Sequence, residues 1–66
     1  MIKILEHKFE KQVSGKNYIR ADIVCDTADE LVTEYENNVF TQGSIMLVIS
    51  TGDFYVLDSS GTWQEQ

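Results

Sequence analysis

No proline occurs anywhere in the 66 residues, and cysteine, histidine and tryptophan occur once each. Each scarcity closes a route. Cys25 has no second cysteine, so no disulfide can form within the chain. One Cys and one His fall short of the three or four ligands a zinc site needs, so no metal centre is expected. A chain this short buries only about 60% of the surface its unfolded form exposes, and such domains lean on disulfides, metals or association. With the first two closed, association is the expected device. No run approaches the roughly 18 apolar residues of a membrane helix. Lys3, Glu6, His7 and Lys8 break the apolar core that a secretory signal would need. The expectation is one soluble domain, residues 1–66, made in the cytoplasm.

Positive charge is missing from most of the chain. All five basic residues (Lys3, Lys8, Lys11, Lys16 and Arg20) lie in the first twenty positions, which also hold Glu6 and Glu10, a net charge of +3. Residues 21–66 carry the other nine acids and no Lys or Arg, a net charge of −9. Nothing after Arg20 can neutralise a phosphate, so nucleic acid is not an expected partner.

Catalytic groupings are equally sparse. Cys25, after Ile23 and Val24, reads as a small buried hydrophobe; a thiolate nucleophile wants a base and an electropositive pocket. Asp53 and Asp58 flank one strand without forming an acid–base pair. The stretches 41–44 and 59–61 are turn sequences with no adjacent lysine and no following helix, unlike a phosphate loop. No enzymatic activity and no cofactor are expected. Tyr55 and Trp63 are able to stack on a base or a sugar, and packing in the core is the plainer reading of both.

What is present is strand-like. Ser14-Gly15-Lys16-Asn17 separates Ile2–Val13, polar and loosely alternating, from Tyr18–Cys25, where Ile19, Ala21, Ile23 and Cys25 share one face and Tyr18, Arg20 and Asp22 the other. Thr27 with Glu30 has capping-box spacing. Ala28, Leu31, Val32 and Tyr35 then form one helical stripe, with Asn37-Asn38 as its stop. Ile45–Ser50 and Phe54–Asp58 flank Gly52-Asp53, a pair suited to a two-residue hairpin turn. Pairing Thr51 with Phe54 sets Ile49 opposite Val56 and Val48 opposite Leu57. Ser59-Ser60-Gly61 makes a further turn that returns Trp63 to the sheet. The fold expected is α+β: a small antiparallel sheet of about four to five strands, with one short helix between the second and third.

That hairpin is apolar on both faces, with Ile45, Leu47, Ile49, Phe54 and Val56 on one and Met46, Val48, Tyr55 and Leu57 on the other. A short helix covers one face only. Either the sheet curls over itself or a neighbouring subunit covers the second face; the expectation is the neighbour, with Met46, Val48, Tyr55, Leu57 and Trp63 as the candidate interface.

The run Gly43-Ser44, then Thr51-Gly52-Asp53-Phe54-Tyr55-Val56-Leu57-Asp58-Ser59-Ser60-Gly61-Thr62-Trp63, resembles a module of small structural proteins of tailed bacteriophages. These show a Gly-Ser strand, a tight turn, a tyrosine-bearing strand ending in Asp or Asn, a second turn and a closing tryptophan. Ala21–Leu31 is similar to the segment that often precedes that module, so about two thirds of the chain is covered. The resemblance implies a virion component such as a head fibre, a decoration protein or a head–tail accessory subunit. Such a protein is made in the host bacterial cytoplasm, is often trimeric, and attaches to other virion proteins. Two other classes remain: a small acidic inhibitor that mimics nucleic acid, drawn from the −9 of residues 21–66, and a sugar- or peptide-binding module using Tyr55 and Trp63.

Overall fold

Alternation in residues 18–25 produces the strand on which the rest of the chain is built. The structure, a computed structural model, describes all residues 1–66. β1 (Lys3–Val13) and β2 (Lys16–Cys25) form a long antiparallel hairpin. Ser14 and Gly15 close it in two residues at φ 53° and 80°, successive left-handed positions that match the twist of the flanking strands. Ile19, Ala21, Ile23 and Cys25 all turn inward, none more than 2% exposed. β1 is exposed along almost its whole length.

The other edge of β2 takes two parallel partners in succession. β4 (Asn38–Phe40) pairs with Asn17–Ile19, and β5 (Ile45–Val48) pairs with Asp22–Cys25. β3 (Glu34–Tyr35) flanks β4, while β6 (Asp53–Leu57) and β7 (Trp63–Glu65) continue outward from β5, all antiparallel. The result is a seven-stranded mixed sheet ordered β3-β4-β2-β5-β6-β7, with β1 on the far side of β2. At the junction between β4 and β5 neither of these strands reaches Ala21, whose other side faces His7 of β1. The hydroxyl of Ser44 fills the gap, accepting the Ala21 N–H at 3.1 Å, and Ser44 is itself fully buried. Beside it the Thr41 N–H donates to the Ile19 carbonyl at 2.9 Å.

The α+β expectation is overturned. The chain is nearly all β, 58% strand in seven strands, and its only helical element is a single 3₁₀ turn at Ala28–Glu30. The capping contact expected of Glu30 does form, since its carboxylate accepts from the N–H groups of Thr27 (3.3 Å) and Asp26 (3.0 Å). The turn then stops at Leu31, at φ −73° and ψ 80°. A helix of two and a half turns gains few hydrogen bonds for its nucleation cost, and Val32, Thr33 and Tyr35 are weak helix formers. The open edge of β2 offers the same backbone groups better partners. Asn17 N–H donates to the Asn37 carbonyl at 2.8 Å and Thr41 N–H to the Ile19 carbonyl at 2.9 Å, while Phe40 N–H turns back to the Thr33 carbonyl at 2.9 Å. Residues 34–40 therefore become a small hairpin turning at Glu36-Asn37, with Glu36 at φ 57°.

The β5–β6 register also departs from expectation. Ile45 faces Val56 and Val48 faces Asp53, so the loop spans Ile49–Gly52 in place of the two-residue Gly52-Asp53 turn. The end of β2 explains the change: Ile49 and Ser50 donate to the carbonyls of Cys25 (2.9 Å) and Asp26 (3.0 Å), which removes them from the hairpin. Gly52, at φ 75°, closes the loop by donating to Val48 at 2.8 Å. The register shifts by four residues, an even number, so every side chain keeps its face.

The inner face carries the core of Ile19, Ala21, Ile23, Cys25, Phe40, Met46, Val48 and Leu57, with Ile2, Ile4, Leu31, Tyr35, Tyr55 and Trp63 packed against it. The sheet curls over this face. Its two ends meet where the Trp63 indole N–H donates to the Val32 carbonyl at 3.2 Å. Self-covering thus accounts for one face and leaves the other open.

Candidate functional site

The outer face is set by strand register. Directly opposite residues share a face, so two rows cross the sheet from β1 to β6. One is Glu6, Asp22, Ile45 and Val56; the other is Lys3, Val24, Leu47 and Phe54. A bulge between Ile4 and Glu6 breaks the β1 register. It puts Lys3 and Glu6, three apart, on the same side, and it tips Leu5 into the space between them and the apolar half. Leu5, Val24, Ile45, Leu47 and Phe54 line a groove of about 370 Å³. Leu5 is 59% and Phe54 52% exposed, and Ile49 at the hairpin end is 58% exposed.

Charge borders the groove on the β1–β2 side. The Arg20 guanidinium donates to Asp22 Oδ1 at 2.8 Å, with both side chains a little over one third exposed. Further along, the Lys11 ammonium lies 5.1 Å from the centre of the Tyr18 ring, within cation–π range.

The residues assigned to an interface from sequence sit elsewhere. Met46 and Val48 are fully buried and Leu57 is 2% exposed; all three are enclosed by the core. Tyr55 and Trp63 are half-buried against the same core. Burial, with Glu65 and Asp53 adding to it, pushes the Tyr55 hydroxyl above its ordinary pKa. The face left open is the opposite one, Ile45, Leu47, Phe54 and Val56. The deciding fact is the parallel pairing of β2 with β5, which sets Met46 beside Ile23 and Val48 beside Cys25. No local signal in the hairpin carries that pairing.

Other reactive groups are held in structural roles. Burial pushes the Cys25 thiol up, with nearby carboxylates adding to it, and its Sγ lies 3.4 Å from the Thr27 carbonyl. Asp58 organises the last turn, accepting from the Ser60 hydroxyl (2.7 Å), the N–H groups of Ser60 and Thr62 (both 2.9 Å) and the Gln64 amide (2.9 Å). These bonds hold its carboxyl well below the usual carboxylate range, the Ser60 hydroxyl foremost. No three His, Cys, Asp or Glu side chains converge in metal-binding geometry. A second, shallow trough of about 650 Å³ lies between Leu31–Glu34 and Gly61–Trp63. The chain matches no family model, no curated protein and no solved structure.

Proposed function

We propose that this chain is a non-enzymatic structural subunit that works by burying the open face of its sheet on protein neighbours, its own copies first and other virion proteins besides. One observation carries the proposal. Apolar side chains from four strands line one contiguous groove, with Leu5 and Phe54 exposed and Val24, Ile45 and Leu47 half-buried, on a molecule that has already built its core on the opposite face, and such patches mark association surfaces. The sequence resemblance of residues 21–63 to small structural proteins of tailed bacteriophages supplies the setting, a virion assembled in the bacterial cytoplasm.

The test is the solution mass of the wild type and of Phe54→Glu by light scattering, with mass spectrometry of particles purified from a producing host. The wild type is expected to exceed one chain mass, Phe54→Glu to fall toward the monomer while staying folded, and the chain to co-purify with particles. A wild type that is monomeric at high concentration and absent from particles refutes the assignment. A second reading, a sugar or peptide ligand at Tyr55 and Trp63, draws on the trough beside Trp63. Quenching of tryptophan emission by a glycan panel, with the mass unchanged, would favour it.

A further inference from the structure

The outer face matches itself. Each of its two rows is charged at the β1 end and apolar at the β5–β6 end, and the charges differ in sign: Glu6 heads the row of Asp22, Ile45 and Val56, and Lys3 heads the row of Val24, Leu47 and Phe54. Neither Lys3 nor Glu6 makes an ion pair within its own chain, whereas Asp22 is engaged by Arg20. Register also sets Glu6 opposite Asp22 and Lys8 opposite Arg20, like charges facing across a strand pair, which is unfavourable in isolation.

We infer that two copies pack these faces together about a two-fold axis that crosses the strands between the two rows. The rotation exchanges the rows and keeps each strand position in place. Ile45 and Val56 then lie on Leu47 and Phe54 of the second copy, and Glu6 lies on Lys3 of the second copy, each contact occurring twice. An isologous interface requires this reciprocity, in which residue i meets j and j meets i. A partner of unrelated sequence would have to reproduce both the apolar rows and the opposed charges; a second copy supplies them by symmetry. A stable interface removes about 800 Å² from each partner, near one fifth of the 4228 Å² this molecule exposes, so the contact has to extend beyond the two rows. The molecule spans 34 × 22 × 18 Å, so a contact of that size occupies most of one side. Two such sheets stack about 10 Å apart, as in a sandwich. The charges set register and encounter rate, and the apolar rows hold the pair together.

This arrangement rests on the assembly role proposed above, and its test separates the two. Lys3→Glu and Glu6→Lys, both at exposed positions, are made singly in the full chain and followed by sedimentation velocity, with circular dichroism as the check on folding. Each variant alone sets like charges together in both symmetry copies of the Lys3–Glu6 contact, side by side over β1, so its dimer dissociation constant is expected to rise about tenfold or more. Mixing the two variants one to one should restore dimers, because each then carries the sign the other lacks. An ion pair within one chain would show no such rescue on mixing. A wild type that associates and is disrupted by Phe54→Glu, yet ignores both charge variants or has a trimer's mass, overturns the two-fold arrangement and leaves assembly through this face standing. A wild-type dimer that Phe54→Glu leaves intact overturns both.

Discussion

Replacing Ser44 with Ala removes a single oxygen atom, at the gap between β4 and β5 along one edge of β2. Ser44 is fully buried, and its hydroxyl is the acceptor for the Ala21 N–H, which is buried with it. Neither neighbouring strand can step in, since β4 ends its pairing at Ile19 and β5 begins at Asp22. Leaving a buried donor without an acceptor costs about 1–3 kcal/mol. A domain of this length has roughly 3–10 kcal/mol in total, so the loss is a large share. At about 4–8 °C per kcal/mol for a chain of this size, Ser44→Ala should melt about 5–20 °C below the wild type by calorimetry or circular dichroism. Ser50→Ala, at an exposed loop position, serves as the control and should stay within about 0.5 kcal/mol of the wild type. Amide exchange adds a local readout, because the Ala21 amide should lose protection more than its neighbours. If Ser44→Ala melts no lower than Ser50→Ala, the hydroxyl does not fill the gap in the sheet, and the account of the β4–β5 junction fails.

Three further outcomes are expected. Asp58 has a depressed carboxyl pKa in the folded state. Its contribution is therefore present above the ordinary carboxylate pKa of about 4 and lost as pH falls through the lower folded value. Asp58→Ala should melt below the wild type at pH 7, with the gap narrowing in strong acid; a gap that does not change with pH contradicts the hydrogen-bonded turn. Cys25, fully buried with a raised thiol pKa, should react with a thiol reagent only as fast as the chain unfolds, and stoichiometric labelling within minutes of the native protein would show the site to be open. Trp63→Ala should destabilise by less than the about 3–5 kcal/mol of a fully buried tryptophan, because Trp63 is half-buried. An unchanged denaturation midpoint would show that its contact with Val32 carries no weight.

The local features of this chain were legible because each is decided by near neighbours. Parity alone places Ile19, Ala21, Ile23 and Cys25 on one face, the stretch Ser14-Gly15-Lys16-Asn17 marks the first turn, which the structure narrows to Ser14-Gly15, and Glu30 reaches back to Thr27 across three residues. The two faces of the last long hairpin also follow from alternation, which survives a register slip of four residues. What tertiary structure alone decided is which partners the backbone of β2 takes. Its edge offers hydrogen bonds to any segment that arrives. Asn38–Phe40 pairs there, and Glu34–Tyr35 pairs in turn with Asn38–Phe40 despite a helical stripe, while Ile49 and Ser50 leave the hairpin turn to donate to Cys25 and Asp26. The same non-local pairing sets Met46 and Val48 against Ile23 and Cys25, which turns the surface assigned to an interface inward and leaves Leu47 half-buried and Phe54 exposed on the outer face. Alternation separates the two faces of a strand, but only the strand beside it determines which one becomes the core.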